Sequence, residues 1–192
     1  MPTGMFIRIK KRKSSKGIKN FAYLVRSKYY KKGPRQKVVR YLGKVYKIKK
    51  KKPNRHKSNE KKHNNLEDFL TSLIIKELRR HAFKHKGNLI FNNSNFFIDL
   101  TKQKVYDDKN NKIVLTMNYG VLCDYTLNRL FEQSYILEKP EVVTKDIGKK
   151  LISAGISIKN EEFIQIYEMI CKKTIPNNAQ QSQTMPSNAK HK

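Results

Sequence analysis

Three groups of residues in this chain have the types and spacing that chemistry requires. His81 and His85 stand four apart, with Glu77 one turn earlier. On a helix that spacing puts two imidazoles on one face. A zinc hydrolase of the H-E-x-x-H kind needs its carboxylate between the histidines. Here Ala82, Phe83 and Lys84 lie between them, and the lysine repels a cation. The pattern suits the end of a helix better, where positive charge complements the macrodipole. Asp99, Asp107, Asp108 and Asp124 have the chemistry to hold Mg²⁺ for phosphodiester cleavage. Yet Asp107-Asp108-Lys109-Asn110-Asn111 reads as a hairpin turn with solvated carboxylates. Cys123 has apolar flanks and no neighbouring base, as an inert buried thiol does. There is no G-x-x-x-x-G-K-[ST], G-x-G-x-x-G or G-x-S-x-G. No catalysis, metal or cofactor is expected.

The third group binds rather than reacts. Tyr23, Tyr29, Tyr30, Tyr41 and Tyr46 interleave with Arg26, Lys28, Lys31, Lys32, Arg35, Lys37, Arg40 and Lys44, and Lys49, Lys50, Lys51 and Lys52 follow. Cations neutralise phosphates and release counterions. Aromatic faces stack on unpaired bases for roughly 1–3 kcal/mol each, and Tyr29 and Tyr30 are the candidates. The plainer alternative makes the tyrosines sheet core with wet hydroxyls and the lysines a solvated face.

Charge distribution separates this group from the rest. The chain of 192 residues carries a net +28. Residues 1–63 hold 24 Lys and Arg against one acid, Glu60. Residues 64–170 are nearly balanced, with 15 against 14. Such an excess repels itself unless a polyanion neutralises it. Nucleic acid is the commonest such partner. A membrane surface is disfavoured, because the basic half lacks an amphipathic apolar helix. No apolar run is long enough to span a bilayer, and the N-terminus lacks the apolar stretch of a secretory signal. Cys123 and Cys171, without a C-x-x-C, point to a reducing cytoplasm.

The elements that must position these residues follow from periodicity. Phe6–Lys10 is a short strand, and residues 13–17 are a loop. Phe21–Arg26 is a strand with Phe21, Tyr23 and Val25 on one face and Ala22, Leu24 and Arg26 on the other. Lys31-Lys32-Gly33-Pro34 signals a turn. Lys37–Leu42 returns as a strand, interrupted at Gly43. Residues 1–48 thus read as a small basic antiparallel β module. Residues 49–64 contain no aliphatic or aromatic side chain and read as a Lys-rich linker.

Residues 65–173 read as a near-neutral α+β domain with four helices and a small antiparallel sheet. Asn65 caps a helix from 66 to about 85 that stops at Gly87. Short strands follow at 89–91, 96–100, 104–107 and 112–117. Helical spacing returns from Val121, Thr144 caps a helix through Ala154, and Asn160 caps one to about Lys172. Residues 174–192 read as a disordered polar tail.

Tyr23-Leu24-Val25-Arg26-Ser27, then Lys32-Gly33-Pro34-Arg35-Gln36-Lys37 and Tyr41-Leu42-Gly43, resembles a basic module at the N-terminus of certain insertion-sequence transposases. The same module resembles the start of small uncharacterised archaeal proteins, as does Asn118-Tyr119-Gly120-Val121-Leu122-Cys123-Asp124-Tyr125-Thr126-Leu127 downstream. The resemblance implies a module that holds nucleic acid. It does not imply transposition, because the domain carrying those enzymes' carboxylates is much longer than this chain allows.

The leading expectation is a non-enzymatic protein that binds structured RNA, in association with the ribosome, and uses residues 65–173 to contact a protein or a second RNA surface. A DNA-binding regulator or chromatin protein is the runner-up, weakened by the lack of a recognition helix with base-reading side chains. A nuclease acting through Asp99, Asp107 and Asp124, and a protein adaptor with a solubilising arm, complete the alternatives.

Overall fold

Alternation of apolar and basic residues draws most of the first 47 residues into three long strands. A computed structural model describes residues 4–15, 17–31, 33–50, 63, 65–87, 89–132 and 139–174. Its elements in chain order are β1 (Met5–Ser14), β2 (Gly17–Tyr30), β3 (Gly33–Lys47), α1 (Leu66–Arg80), β4 (Lys84–Gly87), β5 (Ile90–Asn93), β6 (Phe96–Asp99), β7 (Lys104–Asp107), β8 (Ile113–Met117), β9 (Gly120–Leu122), α2 (Asp124–Phe131), α3 (Pro140–Ser153) and α4 (Asn160–Thr174). The fold is α+β, as the sequence implies. One sheet has the order β1-β2-β3-β8-β9 and the other β4-β5-β6-β7. All strand pairs are antiparallel except β3 with β8.

That parallel pair runs from Lys44↔Ile113 to Lys47↔Thr116, so the first sheet passes straight through the boundary expected at residue 48. Gly43 makes the join possible. Its φ is +138°, and a Cβ there would meet the Lys112 carbonyl oxygen at 2.5 Å. No L side chain has both that backbone geometry and that space. The glycine expected to interrupt the strand instead lets it lie against its neighbour.

Two cores hold the molecule. The larger packs Phe69, Leu73, Ile74 and Leu78 of α1 against Phe91, Ile98, Val105, Leu115 and Met117 of the strands, and against Ile147, Leu151 and Ile166 of α3 and α4. The smaller gathers Ala22, Leu24, Leu42, Val114 and Cys123 on one face of the first sheet.

Several boundaries differ from the periodicity. The helix capped by Asn65, whose Oδ1 accepts from Asp68 N at 2.8 Å, ends at Arg80 rather than near residue 85. Ala82 takes the left-handed position at φ 63°, Phe83 N donates to Leu78 O, and buried Phe83 closes the turn. This is the usual glycine stop built on alanine, so its usual signal is missing. Residues 84–87 consequently form β4 instead of a last helical turn. Val121 and Leu122 belong to β9, and α2 starts only at Asp124. Thr144 lies inside α3, which begins at Pro140, and its hydroxyl donates back to Pro140 O at 2.7 Å. The loop expected at 13–17 narrows to a tight turn, with Ser14 paired to Gly17. Most of the linker and the tail from 175 onward lie outside the described residues. No helix among the described residues is long and apolar enough to cross a membrane.

Candidate nucleic-acid interface

β2 and β3 outrun β1. Met5 pairs with Arg26, so residues 27–30 and 33–36 continue as a ribbon of two strands alone. At about 3.3 Å per residue the ribbon projects about 13 Å. Cα partners across an antiparallel pair share a face. The register therefore sets Arg26 opposite Lys37 and Lys28 opposite Arg35, with Tyr30 on the same face. Like charges directly opposite destabilise a sheet, by about 0.2–1 kcal/mol per pair. Residues 1–50 contain no acidic side chain, and among the described residues no carboxylate forms an ion pair with these four. Lys28, Lys31, Arg35 and Lys37 are exposed. Tyr30 is 54% exposed, with the Arg35 guanidinium 6.0 Å from its ring centroid. Tyr29 is 76% exposed and occupies the opposite face with Pro34.

The first sheet has a second basic surface. On the face away from the smaller core, β1 places Arg8 beside Tyr23, Lys10 beside Phe21 and Arg12 beside Lys19. Tyr41 of β3 pairs with Tyr23, their ring centroids 5.5 Å apart, and Phe21 lies 6.3 Å from Tyr41. Lys10 Nζ stands 5.4 Å over Tyr23, and the Arg12 guanidinium 5.7 Å over Phe21. Arg8 Nη1 donates to Gln36 Oε1 of the ribbon. Burial pushes the Tyr41 phenol pKa up, and Tyr23 adds to it against the pull of Arg12 and Lys44. A first strand that ends at Lys10 leaves out Arg12, and Arg8 and Lys10 are not among the expected binding residues. Their signal was present in the period-two run Arg8, Lys10, Arg12.

The expected binding residues divide. Lys28, Tyr30, Arg35 and Lys37 come together on the ribbon face. Arg26 begins that face half-buried, its Nη2 3.8 Å from Met5 Sδ and its Nε enclosed without a hydrogen-bond partner among the described residues. Arg40 leans over Tyr125 at 5.8 Å, where Arg129 lies at the same distance. Lys44 is half-buried over Tyr46 at 4.6 Å, and Tyr46 packs on Phe96. Lys49 is exposed, whereas Lys50 Nζ lies 3.8 Å from Glu77 Oε1 and so turns to the body. Lys32, Lys51 and Lys52 lie outside the described residues.

Most of the groups considered for catalysis have partners within the fold. Glu77 is 1% exposed, with Arg80 Nη1 at 3.0 Å, Asn118 Nδ2 at 2.9 Å and His81 Nε2 at 3.3 Å. Burial pushes this carboxyl up, but the neighbouring His81, the hydrogen bond from Asn118 and the charge of Arg80 outweigh it and hold the pKa at about 2. Asn118 also donates to Gly155 O at 2.6 Å, tying α1 to the β8–β9 turn and the end of α3. His85 is on β4, exposed and edge-on to Phe91, so the two histidines share no helix face. Asp99 accepts from Lys102 N at 2.9 Å, and Asp124 accepts from Val105 N at 2.7 Å. Asp107 closes its turn on Lys109 N and Asn111 N. Cys123 is buried, which raises its pKa against hydrogen bonding from Thr126. Among the described residues, no three His, Cys, Asp or Glu side chains gather as a metal site would require.

No protein-family model matches the chain, and no curated protein or solved structure does either.

Proposed function

We propose that this protein binds nucleic acid in the cytoplasm without acting on it, with structured RNA as the ligand and the basic sheet as the grip. The observation that carries the reading is the pairing of Lys28 with Arg35 on a projecting ribbon and of Arg26 with Lys37 at its base, in a segment without one carboxylate. A pair of cations held face to face is a cost in the free protein. It becomes a gain when phosphates enter between them and release their counterions.

RNA is favoured because the cations stand on strands beside exposed aromatic rings, and RNA displays unpaired bases in loops and bulges. Of the two arginines at the end of α1, Arg80 is held by Glu77 and Arg79 is exposed, so the helix presents a single arginine at its end rather than a row of base-reading side chains. A folded body with a basic extension also suits ribosomal RNA, where the body's exposed Val142 and Ile152 of α3 and Ile164 of α4 would meet a protein or a second RNA surface. One feature favours DNA as a second reading: a two-stranded ribbon is narrow enough for the major groove of B-DNA.

The test is binding of the full chain to a folded RNA hairpin, a single-stranded DNA and a duplex DNA across a salt series. Tighter binding to the RNA at about 0.15 M salt supports the proposal. Tighter binding to the duplex DNA transfers it to the second reading. Binding no stronger than a free polylysine control rejects both.

A further inference from the structure

The face of β1–β3 that bears Tyr23, Phe21 and Tyr41 has no part in the ribbon's grip on phosphates. We propose that this face is a stacking site for unpaired nucleotides. Tyr41, Tyr23 and Phe21 would receive bases, and Arg8, Lys10, Arg12 and Lys19 would take the adjoining phosphates. The inference deepens the nucleic-acid reading and rests on it.

Four observations carry it. The three rings form one cluster, with centroids 5.5 and 6.3 Å apart, and Tyr41 is 51% exposed. Such a cluster offers π-faces that accept any base. The cations line one border, at alternate positions of β1 and at Lys19, where a strand passing over the rings would place its phosphates. The face has no acidic side chain, and the undescribed segments 51–62, 133–138 and 175–192 carry only Glu60 and Glu138, too little to neutralise it. An apolar protein surface is a poor occupant, because covering the face would bury four uncompensated cations. A single strand supplies both the rings' partners and the counter-charge.

Lys10 over Tyr23 and Arg12 over Phe21 occupy part of the stacking surface in the free protein. An exposed cation–π contact shifts an equilibrium about two- to fivefold. A stacked base shifts it about five- to a hundredfold. The base therefore wins, and the displaced cation swings to a phosphate. The cations keep the rings covered until a base arrives.

The test compares two RNAs of about ten nucleotides, single-stranded oligouridine and its abasic counterpart, with an RNA duplex, at about 0.15 M salt. The full chain should bind oligouridine about five- to a hundredfold more tightly than the abasic strand. Tyr41→Ala should lose that margin and leave duplex binding unchanged, whereas Tyr41→Phe should keep both. Equal binding of the abasic strand overturns the proposal, as does an equal loss on single strand and duplex. The abasic comparison uses the unaltered protein, so it decides even where Tyr41→Ala fails to fold. Retained duplex binding alongside no preference for bases removes the stacking site and leaves the nucleic-acid reading standing. Binding of neither single strand nor duplex removes both.

Discussion

Charge is handled in opposite ways in the two halves of this molecule. In the body, buried Glu77 is met by Arg80, Asn118 and His81, and nearly buried Lys150 by Asp146 at 2.9 Å. In the three-stranded region the register sets Arg26 against Lys37, Lys28 against Arg35 and Arg12 against Lys19. One half resolves its electrostatics by folding. The other folds with them unresolved, on the same sheet and joined through Gly43. Charges left unpaired in this way are what an external polyanion can use.

The largest expected effect concerns the unresolved half. If its cations meet about 6–10 phosphates, affinity for RNA falls about 10³–10⁵-fold between 50 and 200 mM salt. A titration at four or five salt concentrations reads this directly. A flat dependence would break the contrast, because the cations would then be only a solvated face.

Next comes the resolved half. Glu77→Ala takes from Arg80 and Asn118 an acceptor they share and should cost about 1–3 kcal/mol of stability, read by urea unfolding. The pH dependence sharpens the point. Folded Glu77 has its pKa lowered from 4.5 to about 2, so over that interval the unfolded chain binds more protons. Stability from this group is complete above the unfolded value and is lost as pH falls through the folded one. A Glu77→Gln variant should show a flatter stability profile over the same interval. An unchanged profile would mean that Glu77 is not the compensated charge described.

A smaller effect tests the junction. Gly43→Ala sets a Cβ against Lys112 O and strains a positive φ. Raising that residue into the left-handed region alone costs about 1–2 kcal/mol, and separating β3 from β8 adds to it. Hydrogen exchange should show faster opening of residues 44–47 and 113–116 in this variant, with the α1 amides protected as before.

Much of this was legible in the sequence, for local reasons. The turn signal before Gly33 and Pro34 marked where β2 ends and β3 begins, although both residues pair within β3, and Asn65 marked the start of α1. What was not legible is mostly non-local. Nothing near Gly43 says that its partner is Lys112, nor does anything near Glu77 announce Asn118, 41 residues away. Glu77 and His81 stood out as a pair, but their spacing could not separate a metal ligand set from a buried hydrogen-bonded cluster. β1 was read short because lysine has a low strand propensity, which pairing with β2 overrides. The opposed cations depend on register, and register is a property of two strands together.

The most direct measurement is on the double variant Lys28→Gln, Lys37→Gln, which removes one cation from each opposed pair of the ribbon. Two quantities are read from the same preparation: unfolding free energy and RNA affinity across a salt series. The two should move in opposite directions. The free protein should gain about 0.4–2 kcal/mol, while RNA binding weakens and its salt slope becomes shallower by about 2. Stability that stays the same or falls, together with unchanged RNA affinity, would contradict the claim that these cations face each other in order to hold an anion.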